Sequence, residues 1–183
     1  MKKDKIIQQT RSWIEKTVIQ LNLCPFARAV YEAGRIKYWV VKDSDFEAQY
    51  KEYLKLLLDF VSSDPQQWAT AFIILPTGLQ DFECYLDFVA ECEQALDKAG
   101  LQGTVQIASF HPQYCFSGES EQDAANYSNR SPWPMLHLLR EDDLEAAISQ
   151  YKNPQNIPER NQEYLRKLGL ANMKQRLTDV FNG

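Results

Sequence analysis

Both histidines of the chain fall in one stretch, residues 110 to 141, which reads FHPQYCFSGESEQDAANYSNRSPWPMLHLLRE. His111 follows an apolar run directly, and an imidazole that titrates near neutral pH in a polar loop is suited to general acid-base chemistry. Arg130, between Asn129 and Ser131 with Pro132 and Pro134 stiffening the segment after it, suits a fixed guanidinium that grips a carboxylate or phosphate. Tyr114 and Asn126 bring polar groups that can orient a substrate. Arg140 is a second candidate for binding an anion, since adjacent charges on a strand point to opposite faces and Glu141 then faces away. His137 lies between Leu136 and Leu138, where the choice is between a substrate-side group and a satisfied core histidine. Outside the stretch, Cys24 sits in a Leu-Cys-Pro-Phe turn as nucleophile, ligand or packing residue.

These groups need elements to hold them. Ile7, Ile14, Val18 and Leu21 share one helical face, and LCP at 23 to 25 ends that helix. RIKYWVV at 35 to 41 reads as a strand, followed by a helix opened by Ser44 and Glu47 in capping-box spacing and closed before Asp64 and Pro65. AFIIL at 71 to 75, with no alternation, predicts a strand buried on both faces. Asp81 caps a helix that ends at Gly100, and TVQIASF at 104 to 110 is a third strand. MLHLLR at 135 to 140 is a candidate fourth strand, with Asp142 or Asp143 capping a short helix through Leu144, Ala147 and Ile148. Beyond the NPQNIPE connection at 153 to 159, Leu165, Leu168, Met173, Leu177 and Val180 mark one last helix. The alternation predicts an α/β (or α+β) fold: a single domain over 1 to 183, with a three- to four-stranded, mainly parallel sheet packed by helices. A long ordered loop at residues 110 to 134 then lies at the carboxyl edge of the third strand, where open α/β sheets place ligands.

Composition excludes several classes. A formal charge of -5 lacks the basic footprint of a general nucleic-acid or anionic-membrane binder. The N-terminal residues have no apolar core of signal-peptide length, and no run reaches membrane-spanning length, so a cytoplasmic protein is expected. Four cysteines without a CxxC pair support neither a zinc ribbon nor a thioredoxin-like motif. GxGxxG, GxxxxGK[ST] and GxSxG are all missing, and the sequence names no cofactor.

Four blocks in order, LNLCPFA (21 to 27), LQDFECYLDF (79 to 88), QIASFHPQYCFSG (106 to 118) and NYSNRSPWPMLHLLRE (126 to 141), resemble the bacterial family catalogued as domain of unknown function 1415. The resemblance covers most of the chain and implies a cytoplasmic bacterial protein, but it brings no reaction with it.

The function expected from the residues is a small-molecule enzyme. An anionic metabolite, carboxylate or phosphate, would sit in a pocket of the 110 to 141 segment, held by Arg130, Asn126, Arg140 and His137. His111 would supply acid-base chemistry, with Tyr114 and Cys24 beside it. The alternative is a non-catalytic ligand-binding or interaction module with Trp133, Tyr127 and Phe116 as anchors. A third reading is a metal-binding protein using Cys24, His111 and His137, although their spacing matches no standard ligand set and no metal is assigned.

Overall fold

The unbroken apolar run forms strand β2 (Thr70–Ile74), every residue of which is buried. Its neighbours in the computed structural model are β1 (Ile36–Val40) on one side and β4 (Met135–Arg140) on the other, with β3 (Val105–Phe110) at the far edge. The structure describes residues 1–149 and 153–182. β1, β2 and β3 run in one direction, and β4 runs against them between β2 and β3. The expected parallel set is therefore present in strand direction, while β1 with β2 is the parallel ladder and β4 makes two antiparallel ones.

Two helices act as crossovers. α3 (Phe46–Ser62) leads from β1 to β2, and α4 (Phe82–Lys98) leads from β2 to β3. Asp81 caps α4 by accepting from the Cys84 amide at 2.9 Å, as its position predicts. The cap of α3 is Asp45, which accepts from the Ala48 amide at 2.9 Å, rather than the expected Ser44. Both helices bury their apolar stripes on one sheet face, where Tyr53, Phe60, Tyr85 and Phe88 meet Ala71, Ile73, Leu136 and Leu138. Gly78 closes β2 with φ +87° so near Ser44 that a Cβ would stand 2.6 Å from the Ser44 carbonyl oxygen.

The opposite face is covered by α1 (Lys3–Trp13) and a π-helical stretch that continues it (Ile14–Ile19). Ile6, Trp13 and Ile14 pack there on Phe72, Ile74 and Met135, with Val180 from the C-terminal end of the chain. A short α2 (Ala27–Glu32) follows the LCP turn. α5 (Glu141–Ile148) starts directly after the last residue of β4, so Asp142 and Asp143 lie in its first turn instead of capping it. The expected last helix is two, α6 (Ile157–Leu168) and α7 (Leu170–Asp179), because Gly169 takes φ +82° between them. Among the described residues no helix is long and apolar enough to cross a membrane.

Candidate functional site

The 110 to 134 loop is ordered by its own polar groups. His111 is fully buried at the exit of β3. Its Nδ1 accepts from the Gln113 amide at 3.0 Å, which puts the ring proton on Nε2, and Nε2–H donates to the Leu79 carbonyl at 3.0 Å. Burial holds its pKa below the usual value. Nε2 thus ties the loop to the turn before α4, while Nδ1 holds the loop's own backbone. Asn126 is also fully buried. Its Oδ1 accepts from the Phe116 amide at 3.0 Å and its Nδ2 donates to the Ser120 carbonyl at 2.8 Å.

The two arginines are similarly engaged. Arg130 donates from Nε to the Tyr114 carbonyl at 2.9 Å and from a terminal nitrogen to the Glu121 carbonyl at 2.7 Å, with its guanidinium over the Tyr127 ring. Arg140 reaches the C-terminal end of α3. It donates to the carbonyls of Phe60 (2.7 Å), Ser63 (3.1 Å) and Trp68 (3.3 Å), acceptors at a helix end and in the turn that follows. Neither arginine makes a carboxylate pair among the described residues. The loop does wall a groove of about 1060 Å³ in which Tyr114 and Arg130 take part, but Asp81, Glu83, Glu119 and Glu121 line it too. An anionic ligand there would face four carboxylates. Of the three aromatic anchors, Phe116 lines the groove, Tyr127 is buried beneath Arg130, and Trp133 packs against the α1 side of the core.

A second, drier space lies across the sheet. Met135, His137 and Leu139 alternate with Leu136 and Leu138, so the His137 ring stands on the face covered by α1 and α2. It stacks on Phe72 with centroids 4.0 Å apart and planes 7° from parallel. Together they line an apolar cavity of about 160 Å³, with Trp13, Phe26, Phe110 and Leu144 among its walls and Cys24 at its edge. An outer cleft of about 260 Å³ shares Val18, Cys24 and Phe110 with it and continues to Ile157 and Pro158 at the start of α6. Cys24 is where the two spaces meet.

The polar groups in this cavity have defined protonation. Thr70 Oγ1 donates its proton to the Leu138 carbonyl at 2.6 Å, so its 2.6 Å contact with His137 Nε2 is one in which Nε2–H donates to Oγ1. Nδ1 is then a bare acceptor, with no hydrogen-bond partner among the described residues. Burial pushes the imidazole down to about 3, and the ring, which is half-buried, lines the cavity. Burial also pushes the Cys24 thiol up, against the smaller opposing effect of the Phe26 and Ala27 amides. Cys24 and His137 both stay neutral. Nearby, Asn161 Nδ2 donates to the Leu23 carbonyl at 2.7 Å and Arg160 bonds the Asn22 carbonyl, fixing the LCP turn to α6.

The chain matches, over residues 5–175, the family described as protein of unknown function (DUF1415). It belongs to that family. No curated protein and no solved structure was found to match it.

Within this DUF1415 chain the candidate residues divide between the two sheet faces. Cys24 and His137 share a cavity, while His111 packs on Phe82 and Tyr85 of α4 on the other side. Among the described residues no three His, Cys, Asp or Glu side chains converge as metal ligands. Thr70 and the π-helical stretch are the features of this DUF1415 chain that sequence reasoning missed. Thr70 opens a strand whose apolar run drew attention elsewhere. A π-turn, often found at functional sites, leaves no mark in apolar spacing, yet Ile14 and Val18 on this one form cavity wall.

Proposed function

We propose that the protein binds a compact, largely apolar small molecule carrying one hydrogen-bond donor, in the cavity between the sheet and α1 and α2. The observation that carries this reading is the bare Nδ1 of His137 in an otherwise apolar space. Ligand sites have this composition: apolar walls and few polar groups, each with a defined donor or acceptor role. About 160 Å³ accommodates one ring, since a cavity of roughly 150 Å³ engineered into another protein takes up benzene. The outer cleft leaves room for a substituent beyond Cys24.

Binding fits these groups better than covalent catalysis. A nucleophilic cysteine needs a lowered pKa, and here burial raises it beside a histidine too dry to become a cation. Acid-base chemistry at His111 would require the ring to give up two hydrogen bonds and gain access to solvent.

Phenol and its apolar isostere toluene test the reading, with binding followed in both proteins by nuclear magnetic resonance of the Trp13 and Phe110 rings that line the cavity. One recovered hydrogen bond is worth about 1 kcal/mol, so His137→Phe should cut the phenol-to-toluene affinity ratio roughly five- to tenfold. Saturable phenol binding with an unchanged ratio in the variant would refute the role of Nδ1. Failure of both probes to bind at millimolar concentration would refute the site.

A further inference from the structure

The groove of about 1060 Å³ is not used by that reading. It lies where β3 exits, between the start of α4 and the 112 to 122 part of the loop. Its apolar wall is a run of three half-buried rings. Phe82 and Tyr114 have centroids 5.4 Å apart at 59°, and Tyr114 and Phe116 are 5.0 Å apart at 73°. All three rings line the groove, at 59° and 73° to one another, and an aromatic ring face carries the negative side of its quadrupole.

The charges point the same way. Glu119 is paired with Arg166 at 3.0 Å, whereas Asp81, Glu83 and Glu121 have no cationic partner among the described residues. Of the two cationic groups on the lining, Arg130 is turned to loop carbonyls and stacked on Tyr127, and Lys174 comes from α7. The lining is net acidic and in part aromatic. An inorganic cation needs several converging oxygens, and no such set occurs among the described residues. A weakly hydrated organic cation needs only ring faces at contact and carboxylates at longer range.

We propose that this groove binds an organic cation, an alkylated ammonium group, against Phe82, Tyr114 and Phe116 with Asp81, Glu83 and Glu121 supplying the field. The group can come from a free metabolite or from a modified lysine side chain, and the chemistry at the rings is the same.

Titration of the intact protein with choline, with its neutral tert-butyl analogue, and with acetyl-trimethyllysine amide tests this, with the Tyr114 and Phe116 resonances as the readout. Saturable binding of either cation, at least tenfold tighter than the neutral analogue and weakened by added salt, is the expected result. Tighter binding of choline indicates a free metabolite, and tighter binding of the lysine derivative indicates a peptide source. Glu121→Gln, an exposed change that leaves the backbone contact to Arg130 in place, should weaken cation binding about two- to fivefold. Tyr114→Leu should abolish it, and an unchanged amide spectrum outside the loop shows that the fold is intact. Equal affinity for the neutral analogue overturns the proposal. So does saturable binding of citrate at these residues in place of both cations, which would return the groove to an anionic metabolite.

Discussion

The protonation state of His137 has a consequence for stability that can be worked out before any ligand is known. In the unfolded chain its imidazole titrates at the ordinary 6.5, and in the folded protein burial pushes it down to about 3. Between those values the unfolded state binds a proton that the folded state refuses, so stability falls as pH drops through this window. At a pH of about 5 the solution is roughly 1.5 units below the unfolded imidazole's pKa, which corresponds to about 2 kcal/mol lost relative to pH 8. His111, also lowered by burial, adds to the loss with the same sign. The lowered carboxyls of Asp81 and Asp123 act below the ordinary carboxylate range, so a comparison at pH 5 and pH 8 avoids most of their effect. The assay is urea unfolding of wild type and His137→Gln at both pH values, the amide of Gln standing where Nε2–H meets Thr70. Wild type should lose about 2 kcal/mol more than the variant on going to pH 5. Equal losses in the two proteins, or a His137 ring that titrates between pH 5 and pH 8 by nuclear magnetic resonance, would refute the assignment of a dry, neutral imidazole.

Two other perturbations test the placement of the remaining candidates. Arg140→Ala leaves the Ser63 and Trp68 carbonyls without their donor, and the expected cost is about 2 kcal/mol in urea unfolding, with any ligand affinity unchanged. A loss of ligand binding at full stability would instead return Arg140 to a site. Brief alkylation with iodoacetamide followed by peptide mapping should label Cys84 and Cys115 ahead of Cys24, with Cys92 last because it is fully buried. Rapid labelling of Cys24 would mean that its thiol is activated and that binding alone does not describe the cavity.

The elements that position both spaces were legible because each has a local cause. AFIIL has the composition of a strand with no solvent face, Asp81 has the position of a cap, and MLHLLR alternates apolar residues around His137. The insertion of β4 between β2 and β3 had no local cause. It follows from where a long loop returns the chain, and a strand antiparallel to both neighbours has the same residue pattern as one at an edge. The break at Gly169 was hidden by apolar spacing that runs through it.

The polar density of the 110 to 134 loop raised a different problem, since the same residue types serve a ligand or the loop itself. An irregular segment has no ladder to satisfy its amides and carbonyls, so side chains must do it. His111, Asn126 and Arg130 each do so here, with at least two loop or turn contacts apiece. The opposite case is a single polar residue in an apolar run. His137 has one hydrogen bond from its ring, to a threonine already committed to a strand carbonyl, and its second nitrogen is left in an apolar space. An acceptor that faces an apolar space lacks a hydrogen bond worth about 1 kcal/mol. A ligand donor in the cavity recovers it, which is why the isolated histidine, rather than the crowded loop, carries the binding proposal.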